Sequence, residues 1–223
     1  MSNINTLVLE VADPAAARTF YTEAFGPDLP LDFRAGSTPS EGFRGFHVSF
    51  VMAQPADVDA LAESALAAGA TMIKPVSKSF WGYGGVLRAP DGAIWKVASS
   101  SKKNTGPVSR SFESIALLIG AADVAASKQF YVDRGFGVGK SFGKKYVEFT
   151  AGTGRVTLAL LSRKALAKDA GVPMEGSGSH RLTIVGGATA ATDPDGFPWE
   201  PEGQRQSSET TSSSAESISS SSD

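Results

Sequence analysis

The sequence predicts a mixed α+β fold made of two related halves. Its 223 residues are 41% hydrophobic and 20% charged, which is ordinary globular usage and enough to bury two small cores. Two repeats indicate the halves. The segment Asp13–Tyr21 recurs as Asp123–Tyr131, with Asp, Phe and Tyr at identical spacing, and the segment Ala89–Lys96 recurs as Asp193–Glu200, with Pro, Asp, Gly and Trp in step. Because Pro-Asp-Gly is a tight-turn signature, each half should turn there and enter a strand.

The first half alternates strands and helices. An Asp cap at residue 13 followed by Pro14 predicts the first helix, and Gly26 ends it. In order, we predict a strand at 4–11, a helix at Ala15–Phe25, a short strand at Leu29–Arg34, a polar loop to Gly45, a strand at Phe46–Met52, a helix at Val58–Ala68, a strand at Thr71–Pro75, and a hairpin of Gly82–Leu87 with Ala93–Ala98.

The second half repeats the opening of the first and then differs. We predict a strand at Ile115–Ala122, a helix at Ala125–Arg134, strands at Val138–Phe142, Lys145–Thr150 and Arg155–Leu161, a helical turn at Ala165–Ala170, and a strand at Arg181–Val185. The domains we predict are a first module at 1–98, a Ser/Lys-rich linker at 99–110, a second module at 111–203, and a disordered Ser-rich tail at 204–223.

Charge and composition exclude several partners. A net charge of −2 and a pI near 5.8 provide no basic field, so we expect no nucleic-acid partner. We expect no membrane partner and a cytoplasmic location, because no stretch approaches the length of a spanning helix and the start lacks the features of a signal peptide. The absence of Cys excludes thiolate chemistry. The sequence leaves a homodimer open.

The repeated pattern resembles a known superfamily. A strand, a helix with Asp followed by Phe-Tyr, and a closing P-D-G-x-x-W turn resemble the glyoxalase/bleomycin-resistance/dioxygenase proteins, also called vicinal oxygen chelate proteins, over about residues 4–200. The resemblance implies tandem glyoxalase-like modules built from βαβββ units, whose curved mixed sheets form a cup that holds the ligand. Both halves are short of a full set of elements, so we expect them to pack together and to leave one well-formed cleft.

The resemblance also implies where a divalent metal would bind, with His or Gln on the first strand of a unit and Glu on the last. The residues at these positions are Thr6, Ala116, His47, Arg181, Lys96 and Glu200. A cation at a ligand position repels a metal ion, and a lone ligand does not hold a labile one. We therefore predict no metal and no cofactor. The alternative is a site shared between the halves by His47 and Glu200.

Eight residues are candidates for binding a small organic molecule, and they are His47, Trp81, Tyr83, Lys96, Tyr146, Glu148, Arg181 and Glu200. Trp81 and Tyr83 stand among glycines, as at the rim of a ligand cleft, and Tyr146 and Glu148 share one face of a strand. Two structural interpretations remain open: a hydrogen-bonded strand histidine at His47, and a salt bridge between Arg181 and Glu200. No catalytic residue is identified.

The function predicted from these observations is metal-independent binding of a small organic molecule in an aromatic-lined cleft, as in bleomycin-resistance proteins. A metal-dependent lyase, isomerase or dioxygenase of the same superfamily is the alternative, and an interaction module that works through its Ser-rich tail is a third hypothesis. Fold similarity alone names no substrate in so diverse a superfamily.

Overall fold

Two β-sheets, each assembled from strands of both halves of the chain, form the protein in a computed structural model that describes residues 2–80 and 82–202. The strands are β1 (Thr6–Val11), β2 (Leu31–Ala35), β3 (Phe46–Val51), β4 (Thr71–Ser79), β5 (Gly82–Arg88), β6 (Ile94–Ser99), β7 (Ser114–Ala121), β8 (Val138–Ser141), β9 (Tyr146–Phe149), β10 (Val156–Ser162), β11 (Leu182–Val185), β12 (Ala191–Thr192) and β13 (Pro198–Glu200). The helices are α1 (Pro14–Phe25), α2 (Pro55–Ala67), α3 (Val124–Asp133) and α4 (Arg163–Ala170), with a 3₁₀ turn at Ser179–Arg181.

The larger sheet has eight strands in the order β4-β5-β6-β3-β7-β10-β9-β8. At its centre β3 and β7 run antiparallel, with His47 opposite Leu118 and Ser49 opposite Ala116. On either side β6 pairs parallel with β3, and β10 pairs parallel with β7. Two strand-helix-strands units, one from each half, therefore meet edge to edge and form one continuous sheet.

The smaller sheet has five strands in the order β12-β13-β11-β1-β2 and joins the two ends of the described chain. Here β1 and β11 run antiparallel at the centre, with Thr6 opposite Val185. Only the two-residue strand β12 lies between Val185 and Asp193, where the sequence predicts no helix or strand. This sheet is thus the truncated counterpart of the larger one.

The repeated sequence motifs prove to be structural. The side chains of Asp13 and Asp123 accept hydrogen bonds from the first amides of α1 and α3, as the sequence predicts. Tyr21 of α1 is buried, accepts a hydrogen bond from Nε1 of Trp95 at 3.1 Å and donates one to Asp91 at 2.9 Å. This network fastens α1 to the Pro-Asp-Gly turn between β5 and β6.

The second copy uses a different acid. Tyr131 of α3 donates to Asp193, and Asp195 of the repeated Pro-Asp-Gly turn accepts instead from the hydroxyl of Ser127 at 2.6 Å. Burial is the largest effect that raises the pKa of the Tyr131 hydroxyl, so the phenol stays protonated and acts as a donor. Each repeated Tyr therefore joins a helix to a turn in the core.

The predicted mixed α+β fold class is confirmed, and most element bounds differ from the prediction by a few residues. The largest differences are in β4, which continues to Ser79 past the predicted end at Pro75, and in α2, which begins at Pro55. The predicted tail at 204–223 and Trp81 lie outside the described residues. None of the helices in residues 2–80 and 82–202 is long and apolar enough to span a membrane.

Candidate functional site

Different elements pack on the two faces of the eight-stranded sheet. Side chains alternate along each strand, so Val48, Phe50 and Trp95 point to the main core, whereas His47 and Lys96 point to the other face. On that second face lies α4, and we call it the α4 face. Here α4 buries Leu166, Ala167 and Ala170 against an apolar cluster that includes Val86 and Ile94 of the sheet.

An ion cluster joins α4 to the centre of the sheet. Lys96 Nζ donates to both carboxylate oxygens of Asp169, each at 2.8 Å, and His47 Nε2 lies 3.2 Å from Asp169 Oδ2. We call these three residues the Asp169 cluster. The side chains of Lys96 and Asp169 are 30% and 34% exposed, whereas that of His47 is fully buried. The sequence-based candidates His47 and Lys96 thus meet at one carboxylate.

The protonation states in the Asp169 cluster follow from burial and charge. Desolvation is the largest effect on His47 and lowers its pKa, so the ring is neutral at pH 7 and donates through Nε2–H. Desolvation also acts to raise the pKa of Asp169, but the hydrogen bond from His47 and the charge of Lys96 outweigh it and hold that pKa well below its usual range. Asp169 is therefore ionised, and its main counter-charge is Lys96.

Polar contacts hold α4 at both ends. At its beginning the Arg163 guanidinium donates to the backbone oxygens of Phe43 and Gly176, at 2.6 and 2.8 Å. At its end Lys74 Nζ donates to the carbonyl oxygens of Lys168 and Asp169, both at 2.7 Å. Gly171 ends the helix at φ +77°, a conformation that favours glycine, and a Cβ there would displace the Lys74 side chain, which would lie 2.6 Å away.

The register of the strands shows which residues are equivalent to His47 and Lys96, where the family resemblance implies metal ligands. His47 and Ala116 lie at matching places, each seven residues before the residue that precedes its helix, Gln54 or Asp123. Lys96 pairs with the residue two after His47, and Ala159 pairs with the residue two after Ala116. The set of equivalent positions is therefore His47, Lys96, Ala116 and Ala159.

This set does not fit a divalent metal. It contains a single imidazole donor, two methyl groups and an ammonium that repels cations. The nearby carboxylate of Asp169 is already bonded by Lys96 and His47. Within residues 2–80 and 82–202, no group of three or more His, Asp or Glu side chains is arranged to hold a metal ion.

A cavity remains on the α4 face beside the Asp169 cluster. It measures about 440 Å³ and lies along β4, β5 and β6. Lys74, Lys96 and Asp169 supply charged groups, and apolar atoms come from residues such as Val51 and Ala98. The volume falls in the range of pockets that take small organic molecules.

Three other predicted residues lie on the eight-stranded sheet. Tyr83 lines the cavity, and its hydroxyl donates to Asp59 of α2 at 2.8 Å. Tyr146 and Glu148 lie toward the opposite edge and share the face of Ala159, which pairs with Glu148. Tyr146 donates a hydrogen bond to Glu148 at 2.6 Å, and burial together with this bond raises the pKa of the Tyr146 hydroxyl. Lys140 lies 3.3 Å from the Glu148 carboxylate. The structure thus brings Lys96 and Tyr83 to the cavity, keeps His47 buried behind it as a partner of Asp169, and places Tyr146 and Glu148 elsewhere.

Arg181 and Glu200 belong to the smaller sheet. Glu200 forms a bidentate pair with Arg34, with both contacts at 2.9 Å. Arg181 donates to the backbone oxygens of Glu10, Gly36 and Thr38. These contacts tie the end of β1 and the loop after β2 to β11. The structure therefore does not bring Arg181 and Glu200 to the cavity of the larger sheet.

The register of the smaller sheet also changes which residue matches His47. Trp95 pairs with Val48, and its counterpart Trp199 pairs with Ile184. The residue before Ile184 is Thr183, so Thr183 matches His47, and Arg181 lies two residues earlier. Aligning the halves through the Glu-Gly pairs at 41 and 175 misses this shift, because the loops after those pairs differ in length.

Sequence reasoning missed Asp169 and Lys74. Asp169 lies at the end of a short helix with mixed charge, where an acid is ordinarily solvated, and Lys74 lies in an edge strand. The one available signal was Lys96 itself. A lysine expected at the centre of a sheet requires a counter-ion, and the helix after β10 carries an acid.

Comparison with solved structures shows the fold. Glyoxalase I from Zea mays matches with a TM-score of 0.59 and 15% identity, over 90% of this chain and 92% of that one. A mutant of the same enzyme gives 0.58 and 15% over the same shares. A glyoxalase/bleomycin resistance protein/dioxygenase family enzyme from Burkholderia phytofirmans PsJN matches 44% of this chain and 99% of its own, at 21% identity and a TM-score of 0.39. No family model and no curated protein matches the sequence. The fold that the sequence resemblance implies is confirmed.

Proposed function

We propose that this chain, which has the fold of the glyoxalase/bleomycin-resistance/dioxygenase superfamily, binds a small organic molecule without a metal ion in the cavity of its eight-stranded sheet. The observation that carries the proposal is the Asp169 cluster. At the place where the family holds a metal, an ammonium and an imidazole bind a carboxylate of the chain itself. The cavity beside the cluster stays open, with a volume of about 440 Å³.

The shape of the site favours binding over metal chemistry. Two of the four matching positions are alanines, Ala116 and Ala159, and neither offers a donor. Gly84 and Gly85 of β5 line the cavity and pack closely on neighbouring strands, where an added Cβ would approach other atoms to 2.6 and 2.8 Å. A largely pre-formed pocket with few polar groups is the usual form of a small-molecule site. Sequestration of a small molecule, as in a resistance protein, requires such a binding cavity and no metal ion.

The uncharged fluorophore N-phenyl-1-naphthylamine tests the proposal. We expect it to bind wild-type protein with one-to-one stoichiometry, both in a chelator and in added Zn²⁺. Ala98→Leu places a larger side chain in the cavity and should weaken binding at least tenfold. Ala126→Leu, at an exposed position on α3, is the matched control and should change nothing.

Two results would count against the proposal. One is the absence of saturable binding in wild-type protein; the other is equal binding by wild type and Ala98→Leu, which would place the probe outside the cavity. Circular dichroism of both variants would establish that they fold.

A further inference from the structure

Two ammonium groups lie at one end of the cavity. Lys74 of β4 donates to the backbone oxygens of Lys168 and Asp169, and Lys96 of β6 donates to the side-chain oxygens of Asp169. Both lysines line the cavity. Asp169 therefore contacts both cations, Lys74 through its main chain and Lys96 through its carboxylate.

The charges at this end do not balance. The charged residues that line the cavity are Lys74, Lys96 and Asp169, so their sum is two positive charges less one negative, or +1. His47 adds no charge, since burial lowers its pKa. Asp59 of α2 accepts a hydrogen bond from the Tyr83 hydroxyl and is not among the residues that line the cavity. The hydrogen bonds of Lys74 go to neutral carbonyls, which leaves its charge without an acidic partner in those bonds.

Each of the two lysine ammonium groups also has one N–H group that is not used in the hydrogen bonds to α4. An ammonium has three N–H groups, and the hydrogen bonds to α4 use two of them on Lys74 and two on Lys96. The hydroxyl of Ser77 lies on the same cavity wall. An acidic oxygen placed between the lysines would meet charge-assisted donors from both sides, which are stronger than neutral ones.

We infer that the ligand is a small organic acid whose carboxylate or sulfonate lies between Lys74 and Lys96 and whose apolar body extends along β5 and β6. The inference rests on the proposed function, because it assigns a chemical class to the molecule that the same cavity binds. Val51, Pro75 and Ala98 also line the cavity and offer apolar contacts to that body.

A matched pair of probes separates charge from shape. The dye 8-anilinonaphthalene-1-sulfonate has the ring system of N-phenyl-1-naphthylamine with a sulfonate added. We expect the sulfonate to bind at least about tenfold more tightly than the neutral probe, the gain from one charge-assisted hydrogen bond. The preference should shrink as salt is raised, because Lys96 is partly exposed.

Four variants assign the preference to residues. Lys74→Met lowers the charge sum to zero and should weaken sulfonate binding about tenfold. The double variant Lys96→Met with Asp169→Asn keeps the sum at +1 and removes the Lys96 donor, so it should weaken sulfonate binding less than Lys74→Met does. Both variants are judged by the ratio of sulfonate-probe to neutral-probe affinity. Lys74→Arg keeps the charge and should keep the preference, which distinguishes loss of charge from loss of folding. Lys144→Met, in the exposed turn after β8, is the control. Asp169→Asn alone raises the charge sum to +2 and should tighten sulfonate binding.

The outcomes separate the inference from the proposed function. Equal binding of the two probes, or a sulfonate preference that survives both lysine variants, would overturn the inference while binding of the neutral probe still supports a small-molecule site. Failure of both probes to bind wild-type protein would overturn the proposed function and the inference with it. A sulfonate preference lost only in the lysine variants would support both.

Discussion

Replacing Lys96 by Glu should create a metal site in this protein. In wild type, a divalent ion about 4 Å from the ammonium meets a repulsion of about 8 kcal/mol at an effective dielectric constant of about 20. Lys96→Glu removes that charge and places a second carboxylate near Asp169 and the neutral imidazole of His47. The three donors then match the mixed imidazole and carboxylate sets that bind transition metals.

The gain in stability that metal gives Lys96→Glu follows from the linkage between binding and folding. Without metal, two adjacent carboxylates repel each other, so Lys96→Glu in a chelator should be less stable than wild type. With metal at about 100 times its dissociation constant, binding adds about 2.7 kcal/mol to the free energy of unfolding. For a chain of this length, that corresponds to a rise of about 5 to 10 °C in melting temperature. Wild type should show no such rise.

Thermal melting and equilibrium dialysis with Zn²⁺, Ni²⁺ and Mn²⁺ measure these quantities. Lys144→Glu makes the same change of charge at an exposed turn and is the matched control. Adding His47→Ala to Lys96→Glu should abolish the metal-dependent rise. If Lys96→Glu gains no more metal than Lys144→Glu, the assignment of position 96 to the metal-ligand set is wrong.

Four further substitutions test the contacts that hold the fold. Asp169→Asn should lower the free energy of unfolding by about 2 kcal/mol at pH 7, since the Lys96–Asp169 pair is only partly buried. The folded-state pKa of Asp169 lies below its unfolded value of about 3.9, so the difference from wild type should persist above pH ~4 and shrink as the pH falls below it. Urea denaturation at several pH values measures this difference. Tyr21→Phe removes a buried hydroxyl with two partners and should cost about 1 to 3 kcal/mol in the same assay, whereas Tyr83→Phe, nearer the surface, should cost under about 1 kcal/mol. Gln54→Ala removes the buried side chain that binds the backbone of residues 105–107, so limited proteolysis should cut that segment faster than in wild type.

The repeats were the part of the fold that sequence could predict. Asp13 and Asp123 specify helix starts through local hydrogen bonds, and the Pro-Asp-Gly turns need only local chemistry. Tyr21 and Trp95, 74 residues apart, recur as Tyr131 and Trp199, and in both pairs the rings pack against each other, with centroids 5.2 and 5.6 Å apart. A pattern that repeats for a packing reason can be found from one sequence.

The pairing of the sheets could not be predicted in this way. Each sheet joins strands from both halves, and the central pairs β3 with β7 and β1 with β11 depend on contacts distant in sequence. A two-residue difference in loop length was enough to put Arg181, and not Thr183, at the place that matches His47. Register between strands that are distant in sequence depends on how their side chains pack together, and local patterns in one sequence do not specify it.

The candidate site was partly accessible from sequence. The charge of Lys96 at a position that would need an acidic donor was visible, and so was the presence of His47 on the neighbouring strand. The partner of both residues was not, because Asp169 reaches them from a short helix 73 residues after Lys96 in the chain. Tyr146 and Glu148 have the right residue types on the right sheet face but bind each other away from the cavity.

The metal dependence of probe binding tests the central claim most directly. Wild-type protein, stripped of metal by a chelator, is titrated with N-phenyl-1-naphthylamine before and after equilibration with Zn²⁺, and bound zinc is measured in the same samples. We predict the same dissociation constant in both conditions and no stoichiometric zinc. Binding that appears only with one equivalent of zinc, and that His47→Ala abolishes, would contradict it.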